Sequence, residues 1–290
     1  MRIRMLVAAG AIVSAMLAPS VSAKRVDLEP SGKWNVDFGI EKCRLARYFG
    51  EGDDRHLLMF DQYGPSEGFG MTASGPAFER FQSRKRTSLS FAADGEAMRT
   101  EPYAGSVDGV GGAVIYSYLS LASGTEELDN PAAQLPQLDP ELGDEVAYVR
   151  LTQGGRDILL NTGPLGEAFK ILNLCTQQLV KDWGLDPDKH LTAQRQVRWL
   201  NQEDVVRRIQ SDYPRAALFK GEQGIMRMRV MVDETGAVTD CAILEATRVE
   251  SLESPACREM KRAEFAPALD EKGDPFPSYY ATSIVYRIGS

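Results

Sequence analysis

The chain has 290 residues, 33 basic against 41 acidic side chains, and a formal charge of −8. That acidity speaks against a nucleic-acid partner, whose phosphates would be repelled, and against anionic membrane surfaces. Two histidines and four cysteines, none in a CxxC pair, give no ligand set for a metal, and neither a metal nor a cofactor is expected.

The first 23 residues read as a secretory signal. Arg2 and Arg4 supply the basic start, Met5–Leu17 the apolar run and Val21-Ser22-Ala23 a small-residue cleavage site. The run is short for a spanning helix, which needs about 20 residues. An uncleaved anchor is the alternative, and membrane association is expected only in that case. Cleavage before Lys24 leaves a chain with a charge near −10, long enough for two modest domains. After export, the even count of Cys43, Cys175, Cys241 and Cys257 reads as a disulfide framework with three connectivities.

Residues 24–183 form the first expected domain. Short β-like runs, "CRLARYF" (43–49), "HLLMFDQY" (56–63), "TSLSF" (87–91), "AVIYSYLSL" (113–121), "VAYVRLT" (146–152) and "DILLN" (157–161), alternate with turn pairs such as Gly64-Pro65, Asp108-Gly109 and Gly154-Gly155. The acidic, proline-bearing stretch 124–145 reads as a surface loop. From Leu165 the period changes. Ala168, Phe169, Leu172, Cys175, Leu179 and Trp183 share one helical face, started by Gly163-Pro164 and stopped by Gly184. A meander of strands capped by one helix is an α+β arrangement. Cys175 on the apolar stripe and Cys43 on the first strong strand make Cys43–Cys175 the preferred bond, closing a long loop with a contribution of about 4–5 kcal/mol.

Residues 184–200 read as a polar connector and 201–290 as the second domain. Asn201 suits an N-cap, with Glu203 and Asp204 in the first turn and Val205, Val206 and Ile209 as the apolar face. Pro214 ends that helix, and residues 215–220 make one further turn. Gly224 opens a strand with Met226, Met228, Val230 and Val232 on one face and Arg227 and Arg229 on the other, so that one face packs and the other meets water. Asp233–Gly236 reverses the chain with glycine where φ is positive, and a strand runs from Val238 to about Ala246. A helix near 251–262 places Cys257 within reach of Cys241 on the preceding strand, a short loop contributing about 3 kcal/mol. Phe265 and Pro267 end the helix, and "YATSIVYRI" (280–288) closes the chain. The order is helix, strand, strand, helix, strand.

Tyr213-Pro214, the strand opened at Gly224, the Asp233–Gly236 turn, Phe265-x-Pro267 and the closing strand, in that order and spacing, resemble the C-terminal domain of the TonB family, over residues 200–290. The resemblance implies residence in the periplasm of a Gram-negative envelope and capture of the TonB-box segment of an outer-membrane transporter as an added β-strand, in connection with transmembrane transport. The implied edge is Tyr280, Ser283, Ile284, Val285, Tyr286, Arg287 and Ile288. Gln210, Tyr213 and Pro214 fall on the family's Gln-Pro-x-Tyr-Pro motif, beside the partner peptide. Ser211 replaces that motif's first proline, and Ala263 stands where a tryptophan is common. A cleaved signal and a folded first domain replace the anchor and long Pro-rich spacer of the energy transducers.

Catalytic vocabulary is sparse, and no catalytic residue is assigned. His56 and His190 read as exposed polar residues without a neighbouring nucleophile motif. "GSVDGVGGAV" (105–114) precedes a strand and lacks the phosphate-loop lysine. "LLNTGPLG" has Asn161 in the place of an aspartic-protease acid. The basic "FQSRKRTSL" (81–89) reads as a solvated turn, with an anionic ligand the alternative. An enzyme or small-ligand-binding role for residues 24–183, with the C-terminal unit as a docking arm, is the alternative to peptide capture.

Overall fold

The computed structural model describes residues 25–93, 95, 97–122, 135–212, 215–220, 224–245 and 255–286. The expected signal segment lies outside them. The fold is α+β.

Among the described residues, eleven strands precede the long helix: β1 (Arg25–Leu28), β2 (Asn35–Phe38), β3 (Cys43–Phe49), β4 (His56–Gln62), β5 (Gly68–Ser74), β6 (Thr87–Ser90), β7 (Met98–Thr100), β8 (Tyr103–Val107), β9 (Gly111–Ser120), β10 (Val149–Gln153) and β11 (Arg156–Leu160). A short helix α1 (Pro140–Asp144) and the long helix α2 (Gly166–Asp182) complete this part. The single expected meander resolves into two sheets. One has the order β2-β3-β4-β5-β9-β8 and the other β1-β11-β10-β6-β7, with β1 parallel to β11.

Both sheets and α2 feed one core. Leu45, Phe60 and Phe69 come from the first sheet, Leu89, Leu151 and Ile158 from the second, and Phe169, Leu172 and Leu179 from α2. Each such side chain contributes about 1.5–3 kcal/mol by leaving water. Alternation along β3 and the 3.6 period along α2 fix which residues enter. Gly184, at φ 80°, terminates α2 in the left-handed conformation. The acidic loop is only partly a surface loop. Leu135 and Leu138 are buried, and Leu138 exchanges two hydrogen bonds with the buried Asn173 amide. Its residues 124–134 lie outside the described residues.

The connector is folded rather than loose. It holds α3 (Pro187–Leu191), capped by the Asp186 carboxylate, and β12 (Arg198–Trp199). Then come α4 (Gln202–Ser211), α5 (Arg215–Lys220), β13 (Gly224–Val232), β14 (Val238–Glu245), α6 (Ala256–Met260), β15 (Phe265–Ala266), β16 (Ala268–Leu269), β17 (Pro275–Phe276) and β18 (Ser278–Tyr286). Asn201 precedes α4 but makes no side-chain cap bond. Its carbonyl accepts from Trp199 Nε1 and the Glu264 amide, and its amide donates to the Arg262 carbonyl, tying α4's start to the far end of the chain.

A second core gathers Trp199, Val205, Ile209, Met228, Val230, Val232, Met260 and Phe265. Both expected disulfides are present: Cys43–Cys175 joins β3 to α2, and Cys241–Cys257 joins β14 to α6.

Candidate functional site

The C-terminal sheet has the order β14-β13-β18. β13 and β18 pair antiparallel without a break, from Gly224↔Tyr286 to Val232↔Ser278. Among the described residues no strand pairs with the outer side of β18. Side-chain alternation splits β18 into two rows. Tyr280 and Ile284 lie on the second core, and Tyr286 is buried against Met226 and Ala217. Tyr279, Ala281, Ser283 and Val285 lie on the opposite face, across from Met231, Arg229, Arg227 and Ile225.

That opposite face is only partly open to water: Ala281 is exposed, but both arginines are half-covered. The Arg227 guanidinium donates to the Ser117 carbonyl and to the Ser283 hydroxyl, and it lies 5.0 Å from the Tyr63 ring centroid. Lys42 sits 5.4 Å from the same ring. Arg229 lies 4.5 Å from the Trp183 ring, and Trp183 contacts Tyr279 at 4.9 Å. Leu135, Val180 and Tyr279, with Trp183, Leu185, Leu191 and Met231, form a separate apolar cluster at this junction. The expectation of a solvated arginine face is therefore corrected. Charged residues on alternate positions predict a solvent-facing row, but ring faces hold these cations instead. Nothing in the local pattern marks Tyr63 or Trp183 as their partners, because the contact spans more than a hundred residues in one case.

Burial shapes the titration of the groups at this junction. Desolvation lowers the pKa of Arg227 and Arg229. It pushes the Tyr63 phenol up to about 12, with Asp61 adding to the rise, and raises Tyr279 further still. Asp61 itself is engaged bidentately by Arg44, at 2.6 and 2.7 Å. Arginine keeps its charge even when desolvated, so the junction is a cation–aromatic layer.

The histidines are the second correction. Both are fully buried rather than exposed. His56 Nδ1 donates to the Asp54 carbonyl, at 2.8 Å, and Nε2 accepts from the Ala77 amide, at 3.1 Å. His190 Nδ1 donates to the Asp186 carbonyl, at 2.7 Å, and Nε2 lies 2.9 Å from the Ser278 hydroxyl at the start of β18. Desolvation lowers both pKa values. Each ring is satisfied on both nitrogens, so each is a tie between segments.

Of the residues singled out in the sequence, Tyr280, Ser283, Ile284, Val285 and Tyr286 lie along β18. Gln210 is exposed near the end of α4. Tyr213, Pro214, Arg287 and Ile288 lie outside the described residues. Ala217, in the helix that follows the Tyr-Pro pair, packs with Tyr286, which places the start of α5 at that end of β18. Residues 209–288 match the family model of the Gram-negative bacterial TonB protein C-terminal. No curated protein and no solved structure matches the chain.

Proposed function

We propose that this chain is an exported, periplasmic protein of a Gram-negative envelope. In this reading its C-terminal module captures an extended segment of an outer-membrane transporter, of the TonB-box kind, by strand addition. One observation carries the reading: within the matched segment 209–288, the last strand lies at the edge of its sheet. An edge strand offers a row of unpaired backbone donors and acceptors, a template for another chain. Tyr280, Ser283, Ile284 and Val285 lie along that edge, with Tyr286 at its end; the family resemblance adds Gln210, Tyr213, Pro214, Arg287 and Ile288 to the proposed partner-binding set. The role is binding rather than catalysis.

The test uses the whole mature chain, since the first core's side of the molecule covers one face of the sheet. Backbone hydrogen exchange across 278–286 is followed while TonB-box peptides are added. Protection of these amides, with a dissociation constant at or below about 1 mM, is the expected outcome. Unchanged exchange in β18 at that peptide concentration refutes strand addition.

A further inference from the structure

The basic run Phe81–Leu89, which the C-terminal module does not use, occupies a defined place on the outer face of the five-stranded sheet. Register lines up Asp157, Thr152, Ser88 and Arg99 across four strands. Above this row lies a depression of about 510 Å³, with Arg86 and Arg156 also in its wall and the Gly154-Gly155 turn at one end.

The depression is built rather than loose. Gln153 is only 2% exposed and clamps the basic loop. Its carbonyl accepts from the Gln82 amide, at 2.8 Å, and its Nε2 donates toward the carbonyls of Gln82 and Lys85 and the Thr87 hydroxyl, at 3.1, 3.3 and 2.8 Å. The loop's other end is held by the Arg84 amide on the Pro102 carbonyl and by the Ser83 hydroxyl, which accepts from the Ala104 amide. Arg84 adopts a left-handed φ of 59°, a conformation that an unconstrained arginine avoids.

Charge in the depression is one-sided. Among the described residues, none of Lys85, Arg86, Arg99 and Arg156 is in an ion pair. Asp157, the acid of the lining, is engaged bidentately by Arg150, at 2.8 and 2.7 Å. Lys85 Nζ and Arg156 Nη1 converge over Gly154, coming within 3.0 and 3.5 Å of the point where a Cβ would stand. Like charges this close repel by about 0.7 kcal/mol per pair even in water at 6 Å. In a chain of net charge −8, four cations beside one carboxylate that Arg150 already neutralises are a local reversal of sign. The Ser88 and Thr152 hydroxyls add two neutral donors, and guanidinium forks match the oxygens of tetrahedral oxyanions.

We infer that Lys85, Arg86, Arg99 and Arg156, with Ser88 and Thr152, form a binding site for a phosphate-class oxyanion, borne by a soluble molecule or by a lipid headgroup. The probe is inorganic pyrophosphate, titrated calorimetrically into the mature chain at low ionic strength. The expected result is saturable binding that weakens with salt. The R86A/R99A/R156A variant, with changes at three side chains that no core residue needs, weakens binding at least about tenfold. A K170A/R207A/K272A control removes the same charge elsewhere and leaves binding within about twofold. S88A/T152A, which changes no charge, also weakens binding. Cosedimentation with phosphatidic acid vesicles, lost in R86A/R99A/R156A and competed by pyrophosphate, assigns a headgroup; pyrophosphate binding without cosedimentation assigns a soluble ligand. No binding at about 10 mM pyrophosphate, or equal losses in the site and control variants, overturns the site.

Discussion

Removing Cys43–Cys175 is the most quantitative perturbation this fold offers. The bond joins residues 132 apart, and Cys241–Cys257 joins residues 16 apart. In the chain-entropy model the first restricts the unfolded chain by about 5 kcal/mol and the second by about 3 kcal/mol. The consequence for melting depends on how much chain unfolds together. At about 2.1 cal/mol/K per residue, a 160-residue unit loses about 15 °C for 5 kcal/mol, and a 90-residue unit loses about 16 °C for 3 kcal/mol. If all residues after the signal unfold as one, the same losses are about 9 and 5 °C. Scanning calorimetry of Cys43→Ala/Cys175→Ala and of Cys241→Ala/Cys257→Ala therefore reports two things. We expect two transitions, each variant lowering its own by about 15 °C, because the cores of residues 28–179 and 193–276 are separate. A first variant melting within about 3 °C of the parent refutes the loop-entropy reasoning, and a single transition displaced by about 9 °C in the first variant and about 5 °C in the second refutes the division into two units.

Two further outcomes follow from single sites. Burial holds His56 below its ordinary value of 6.5, so the unfolded chain takes up a proton that the folded chain refuses. Stability is fully present above about 6.5 and falls as pH drops through the window beneath it. Protonating His56 also sets a new N–H against the Ala77 amide, so denaturation midpoints measured from pH 7.5 to 5 should fall less steeply in His56→Gln; an unchanged slope counts against His56. Gly236 has φ 88°, and a Cβ there would stand 2.1 Å from the Phe265 carbonyl oxygen. Gly236→Ala should cost more than about 2 kcal/mol in chemical denaturation, beyond the penalty of a left-handed residue alone, and a loss under about 1 kcal/mol would show that the turn yields.

What the sequence makes legible is what local period controls. "CRLARYF" is β3 to the residue, and α2 falls inside the stretch marked by Gly163-Pro164 and Gly184. The two disulfides follow, because each joins a helix stripe to a strand that packs on it. β5, "GFGMTAS", is illegible for a physical reason. Glycine weakens a strand pattern, and the stretch is not among the runs expected; yet a Cβ at Gly68 would meet the Leu119 carbonyl oxygen at 2.4 Å, and one at Gly70 would meet Arg227 Nη2 at 3.1 Å. Those glycines admit a neighbouring strand and a distant arginine, and neither contact leaves a local mark. The connector misleads in the same way: its polar composition hides Ala193, Val197, Trp199 and His190, all buried. In the candidate edge, β18 and the apolar face of β13 are legible, whereas the covering of the arginine face is a tertiary fact.

That covering narrows how a partner could engage the C-terminal sheet. Met228 and Val230 commit one face to the core, and Arg227 and Arg229 commit the other to Tyr63 and Trp183. A partner laid across either face would have to displace packed side chains, whereas an added strand displaces none. The two edges are not equivalent. β14 pairs with β13 through a register shift between Met231 and Val232 and is tied to α6 by Cys241–Cys257. Bulges twist an edge away from further pairing. β18 keeps an unbroken register over all nine residues of β13, so a new strand beside it inherits a regular ladder. The Ser278 hydroxyl is held by His190 and the Tyr279 ring by Trp183, which fixes the start of that ladder to the end of α2 and to α3. Pre-ordering of this kind lowers the entropy lost on capture, and it makes Trp183→Ala a change that should weaken peptide binding without touching the peptide.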